Sequence, residues 1–401
     1  MRISTVTMFE QGLNSLVRQQ GEYLKVGQQI ASGKRVVNPS DDPQAASQAV
    51  GVAQSAAVNQ QYADARISTR NALSQEERVL GSVADAIASA KTLLVQAGNG
   101  TLSDADRSSL ASELNGIYEA LLGQANATDG NGRYLFGGYQ DKSPPFVKDA
   151  LTGIVSYQGD AGVVAQQVDA SRQMASGDNG LQIFQTVHGS ASYLARADAA
   201  NAGSVTFTGP SVTDSSDAGF GTSFALVFAV AADGTTTYST DGGTTPVPYV
   251  DGQSISVNGL SLTLEGTPAD GDSIAVSAAD EADPDLFRTL RNMLDALDTP
   301  LQNDADRARL QNTLSTSSRE LDNALDNVLT TRASVGARLN ELDVLDTVGG
   351  NRALNYEQTL SDLVDLDYNA AISEYSLRQV GLQAAQKAFV DIHQLSLFKL
   401  L

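Results

Sequence analysis

The chain has 401 residues, 41% of them hydrophobic, enough for two or three domains of roughly 100 to 200 residues with cores of their own. Forty-seven Asp and Glu against 26 Lys and Arg leave a formal charge of -21, so most of this surface would repel nucleic acid. No cysteine is present, which removes disulfides, thiolate metal sites and Cys nucleophiles, and two histidines, His188 and His393, give a zinc site or an acid–base pair little to draw on.

The opening residues MRISTVTMFEQGLNSLVRQQ hold no secretory apolar segment, so any export is expected to use another route without a cleaved signal peptide. Phe9, Leu16, Tyr23 and Ile30 then recur every seven residues, with Leu13 between them, which predicts a helical arm with one apolar seam over 1–42. Four glycines in or beside it, Gly12, Gly21, Gly27 and Gly33, each cost about 1 kcal/mol relative to Ala in a helix, so the arm is expected to be disordered alone and helical in an assembly.

Asn38-Pro39-Ser40-Asp41-Asp42-Pro43 turns the chain and starts a long helix through Leu73, Leu80, Ile87 and Leu94 to Ala97. After Gly98-Asn99-Gly100, a capping box at Ser103 and Asp106 opens a further helix carrying Leu110, Leu114, Ile117 and Leu121, which completes a helical segment over 43–128. Residues 129–195 read as an irregular, β-rich extension with short strands near Ile154 to Tyr157 and Gly162 to Val168.

Between Arg196 and Arg288 there is no Lys or Arg, while 13 Asp and Glu and 11 Gly punctuate alternating runs, which predicts an acidic antiparallel β domain over 196–283. The longest apolar run of the chain, Phe224 to Ala232, lies there; its nine residues fall short of the ~20 of a membrane span, so no membrane insertion is expected. Helix resumes at Pro284 with Leu286, Leu290, Met293 and Leu297. It continues after Pro300 as a heptad of Leu314, Leu321, Val328, Val335 and Leu342 up to 348, where Gly349-Gly350 is expected to break it. A second arm over 349–401 carries Leu382, Ala385, Phe389 and Ile392. The predicted fold class is mainly α with an inserted antiparallel β domain, a long antiparallel helical rod built from both halves of the chain with coiled-coil terminal arms.

Enzymatic motifs fail on spacing. Gly27, Gly33 and Lys34 suggest a phosphate loop, but five residues separate the glycines where four are needed, and Arg35 stands where a Ser or Thr would hold magnesium. Asp129-Gly130-Asn131-Gly132-Arg133 starts like a calcium loop, yet Arg133 occupies a ligand position and no Glu closes it, so a tight turn is expected. No catalytic, cofactor-binding or metal-binding residue set emerges.

Both ends resemble the flagellin superfamily of bacterial axial proteins, and specifically its hook-associated members of the FlgL type. The residues carrying the resemblance are MRIST (Met1 to Thr5), QIASGKRV (Gln29 to Val36) leading into NPSDDP (Asn38 to Pro43), GRYLFGGYQDKSPPF (Gly132 to Phe146), VSYQGDAG (Val155 to Gly162), RASVGARLNELD (Arg332 to Asp343) and the stretch from Thr359 to Leu401. Gly252 to Val276 is a looser match to the variable outer domains of that superfamily.

The resemblance implies a non-enzymatic structural adaptor of the extracellular flagellum, joining the hook-side junction to the flagellin filament. Its implied partners are the other hook-associated protein on the hook side, flagellin on the filament side, further copies of itself in a ring, and a cytoplasmic export chaperone on the carboxyl arm. Phe9, Leu13, Leu16, Tyr23, Ile30, Leu382, Ala385, Phe389 and Ile392 are then expected to pack subunit to subunit. The alternatives are a short flagellin forming the filament itself, or a secreted glycan-binding or adhesive protein acting through the β domain.

Overall fold

The computed structural model describes residues 5–186, 193–241, 244–279, 281–282 and 285–395, with the side chains of residues 5, 6, 8, 9 and 392–395 outside the description. His188 and Pro284 lie outside the described residues, as does the side chain of His393. The chain divides into two compact units, Met1–Asp64 with Val344–Leu401, and Ala65–Asp343. Two long helices, α2 (Pro43–Ala97) and α5 (Asp304–Val364), contribute to both.

The first unit adds helices α1 (Thr5–Ser32) and α6 (Tyr368–Leu395) to the start of α2 and the end of α5. Helix α5 runs through Gly349-Gly350, correcting the expected break there. Gly349 is buried, and its carbonyl accepts a hydrogen bond from Asn59 Nδ2 of α2 at 3.0 Å. A contact of that kind offsets part of the helix-propensity cost of the glycine pair, which by itself is about 2 kcal/mol. The chain turns instead at Asp365-Leu366-Asp367, where the Asp367 carboxylate accepts from the backbone N–H of Asn369 at 2.9 Å and of Ala370 at 3.2 Å, capping α6.

The second unit is built on the antiparallel pairing of α2 with α5. Leu73, Leu80 and Ile87 on one helix and Leu314, Leu321, Val328, Val335 and Leu342 on the other are buried, as their heptad spacing requires. Ion pairs Arg70–Asp343, Glu77–Arg332 and Lys91–Asp322 line the edge of the seam and report its register. By length and composition α2 is apolar enough to cross a membrane, its apolarity being spread among interspersed alanines. Of its most apolar stretch 39% is buried inside the fold.

Helix α3 (Asp104–Ala125) starts with the Ser103–Asp106 capping box and packs against α4 (Leu286–Asp298), whose N-cap Asp285 accepts from the N–H groups of Phe287 and Arg288. Tyr118 of α3 meets Phe287 edge-on at 6.2 Å, and Phe287 also packs on Phe146 and Phe184. Phe146 opens the hairpin β1 (Phe146–Lys148) with β2 (Val155–Tyr157), and a second hairpin, β3 (Ala165–Asp169) with β4 (Arg172–Ala175), follows. A single π-helical turn, Leu181–Gln185, delivers Phe184 to this aromatic core.

The inserted β region is antiparallel throughout. Strands β5 (Tyr193–Ala197), β12 (Ser273–Ala278), β7 (Phe224–Val230), β8 (Thr236–Ser239) and β9 (Val247–Pro248) form one sheet in that order; β10 (Ser254–Val257), β11 (Leu260–Glu265) and β6 (Thr206–Val212) form the other. Alternation places Leu260, Leu262 and Leu264 inward against Leu226, Phe228 and Ile274 in one shared core. The sheet includes Tyr193, so it begins before the basic-residue gap that marked residue 196. Its core is also tied to α5: Asn312 Nδ2 donates to Val205 O at 2.9 Å, Asn312 Oδ1 accepts from Phe207 N–H at 3.2 Å, and Thr316 Oγ1 donates to Ala195 O at 2.7 Å. Arg196 and the buried Glu320 add an ion pair at 2.6 Å. These bonds anchor the antiparallel β domain on α5 within the second unit.

Candidate functional site

The terminal helices are held in register by the chain that flanks them. Gly33 ends α1 at φ +69°, a left-handed conformation that glycine adopts without a steric cost, and a Cβ there would lie 2.9 Å from the Tyr368 hydroxyl oxygen at the start of α6. Around it Leu366 N–H donates to Gly33 O at 3.0 Å, Arg35 N–H donates to Val364 O at 2.7 Å, and the Arg35 guanidinium donates to Leu363 O at 2.6 Å. Gly33, Lys34 and Arg35 thus form the joint between α1 and the α5–α6 turn, which is the structural role of the residues that suggested a phosphate loop.

The following segment, residues 38–43, is fixed by two carboxylates. Asp41 accepts from Asn38 N–H and pairs with Lys25 at 3.0 Å; Asp42 caps α2 at Ala45 N–H and pairs with Arg35 at 3.1 Å. Backbone hydrogen bonds first, and the neighbouring cations second, hold both carboxyls below their ordinary pKa. In the second unit, the Asp129 carboxylate is likewise occupied by the Asn131 and Arg133 N–H groups and the Arg133 side chain, so that segment is a closed turn.

Helices α1 and α6 pack antiparallel. Gly12 faces Phe389, Gln19 faces Gly381, and Tyr23 stacks on Tyr375 with ring centroids 4.6 Å apart and hydroxyl oxygens 2.5 Å apart. Arg378 bridges Glu22 across the helices and Glu374 on its own. The α1 seam is therefore Gly12, Leu16, Gln19, Tyr23, Val26, Ile30 and Gly33, a four-three spacing of a two-helix coil. On α6 the matching positions are Ala371, Tyr375, Arg378, Leu382, Ala385 and Phe389.

Of the residues expected from sequence, Leu16, Tyr23 and Ile30 are half-buried on the α1 seam, and Leu382, Ala385 and Phe389 are half-buried on that of α6. Leu13 is not brought in; it remains 44% exposed. Phe9 and Ile392 lie within the helices, but their side chains fall outside the described residues. Sequence reasoning missed Val26 and Ala371, both buried, because the alternate seam positions are mostly Gly, Gln, Ala and Arg and break the apolar periodicity. The expectation that each arm lacks a partner within one chain is corrected: each arm is the other's partner.

Pairing uses one face of each helix and leaves a second apolar face open. Leu13, Val17 and Leu24 on α1, and Ile372, Leu377 and Val380 on α6, are exposed, as are Val50 of α2 and Leu354 of α5 in the same unit. Gly21 and Gly51 have nothing within 4 Å of where a Cβ would stand, so nothing in the single chain requires a glycine at either position. Scattered exposed apolar residues are ordinary; here they concentrate on the paired helices of one unit. Among the described residues no group of three or more His, Asp or Glu is arranged to hold a metal ion.

Residues 3–141 match the family model for the bacterial flagellin N-terminal helical region. Over all 401 residues, and 99% of the relative's length, the chain is 37% identical to flagellar hook-associated protein 3 of Salmonella typhimurium. The crystal structure of Xanthomonas campestris FlgL superposes with a TM-score of 0.68 at 30% identity, covering 77% of this chain and 99% of that one. The flagellar junction protein FlgL from Legionella pneumophila gives 0.66 at 26% identity over 79% and 100% of the two chains. Identity sustained from end to end, on a helical frame with an inserted antiparallel β region, places this chain in the family of flagellar hook-associated protein 3, FlgL.

Proposed function

We propose that the protein is a structural, non-catalytic adaptor of the bacterial flagellum, joining the hook-side junction to the flagellin filament through its paired terminal helices. The observation that carries this reading is the two-faced α1/α6 pair: one seam closes within the chain, and the opposite apolar face, with Leu13, Val17, Leu24, Ile372, Leu377 and Val380, has no partner among the described residues of the chain. Copies of the chain associate through that face into a ring, a head-to-tail contact repeated around an axis. The hook-side neighbour is the other hook-associated protein, and the filament-side neighbour is flagellin. The carboxyl arm, whose Ile372, Leu377 and Val380 are exposed in the free subunit, is the segment an export chaperone would cover before the chain leaves the cell.

A filament-forming flagellin is the less favoured reading, since the full-length relative is hook-associated protein 3 while the flagellin family model covers residues 3–141 alone. The test is a double substitution of the outward face, Leu377→Asp with Val380→Asp, at positions 71% and 64% exposed in the monomer. Each buried charge would cost several kcal/mol in an assembled, water-excluding contact and almost nothing in the free subunit. The expected result is a normal monomer melting curve together with cells that carry hooks, lack filaments and shed flagellin into the medium. Full motility of the double variant would refute the docking role of this face.

A further inference from the structure

We propose that the groove between the end of α2, strand β6 and helix α5 is a docking site for an acidic segment of another polypeptide. It lies wholly within the second unit, uses no residue of the terminal helices, and encloses about 540 Å³, room for several residues of a peptide. Gln311, Ser315, Ser318, Arg319, Asp322 and Asn323 come to it from α5 at spacings of three and four, one face of that helix. Thr208 and Gly209 of β6 form the opposite wall, and Leu94 and Leu314 give the groove an apolar lining.

Arg319 is half-buried, and no hydrogen bond or ion pair holds its guanidinium among the described residues. Its electrostatic neighbour, Asp322, is also ion-paired with Lys91, so one carboxylate is shared between two cations. Removing a guanidinium from water without an anion beside it is costly. Burial accordingly lowers the Arg319 pKa, although the side chain stays protonated at any physiological pH. A second donor waits beside it: Asn323 is 3% exposed, and its Nδ2 has no hydrogen-bond partner. Buried amide donors are seldom left unpaired, so this one is a candidate donor to a group that enters the groove. The hydroxyls of Ser315, Ser318 and Thr208 line the same space.

A planar guanidinium, an amide N–H and hydroxyls around an apolar lining match a carboxylate on a short aliphatic stem, the side chain of Glu or Asp. The groove's volume of about 540 Å³ favours such side chains presented on a peptide over a free ion.

The test uses the full chain and a fluorescent acetyl-Asp-Glu-Asp-Glu-amide peptide in low salt, followed by anisotropy, with acetyl-Asn-Gln-Asn-Gln-amide as the uncharged control. The acidic peptide is expected to bind and the amide peptide not to. Arg319→Gln should weaken binding about tenfold or more, Arg319→Lys by less, and Arg307→Gln, an exposed arginine elsewhere on α5, should leave it unchanged. The melting temperature of Arg319→Gln should equal or exceed that of the parent, which separates lost docking from lost folding; if that variant fails to fold, Arg319→Lys carries the comparison. Equal affinity for the parent and Arg319→Gln would overturn the proposal. So would displacement of the peptide by inorganic phosphate or glutarate at the peptide's own affinity, which would make this a small-anion site.

Discussion

Glu76 of α2 is a buried carboxyl whose titration should be visible in the stability of the second unit. Its Oε1 accepts from Asp178 N–H at 3.0 Å, its Oε2 has no hydrogen-bond partner, and the Asp178–Arg338 ion pair lies beside it. Burial first, and the Asp178 carboxylate second, push its pKa up to about 8 from an ordinary 4.5, against a smaller opposing pull from Arg338. The folded state therefore holds a proton that the unfolded state releases near pH 4.5. Stability from this group is complete below that pH and is lost as pH rises through about 8. At 1.36 kcal/mol per unit, raising the pH from 5.5 to 7.5 should lower unfolding free energy by about 2 to 3 kcal/mol. Glu76→Gln keeps the shape and removes the titration. Urea unfolding of the parent and of Glu76→Gln at both pH values isolates the effect, because every other titrating group is common to the two proteins. The parent should lose the stated amount relative to the variant. Parallel pH dependences would refute the assignment of a neutral, buried Glu76.

Three further outcomes follow from the packing. Val26→Ala should cost about 1 to 2 kcal/mol in urea unfolding of the first unit, since Val26 is buried on the α1 seam, whereas Leu13→Ala should be nearly neutral. Gly33→Ala, forced to φ +69° against Tyr368, should lower the melting temperature, while Gly21→Ala, with open space around it, should stabilise α1 by up to about 1 kcal/mol. Asn312→Ala strips partners from Val205 O and Phe207 N–H, costing about 2 kcal/mol or more and speeding amide exchange of β6 while the α2/α5 seam stays protected.

The long seams were legible because a heptad names a buried face without reference to its partner. Leu73 to Leu94 and Leu314 to Leu342 lie inside as their spacing implies. What periodicity cannot state is which surface a face meets, so the α1 residues Leu16, Tyr23 and Ile30 could be assigned to a neighbouring copy when their partner is α6 of the same chain. The alternate α1 positions Gly12, Gln19 and Gly33 carry no hydrophobic signal at all, and the exposed second face became visible only once the first was occupied. Gly349-Gly350 reads as a stop from local propensity, yet Asn59 reaches the Gly349 carbonyl from a residue 290 positions away. The same holds for Asn312 and Thr316: nothing in a polar pair at spacing four marks it as the anchor of a β-sheet edge. The joint at residues 33–43 was readable as a turn, but its bonds to Leu363, Val364 and Leu366 depend on a segment over 300 residues later.

The position of the protein in an intact flagellum separates a junction subunit from a filament subunit most directly. Immunogold labelling with an antibody to the inserted β region should give a single narrow band at the hook end of the filament, with no label along its length. Uniform labelling of the filament would contradict a junction and identify a flagellin.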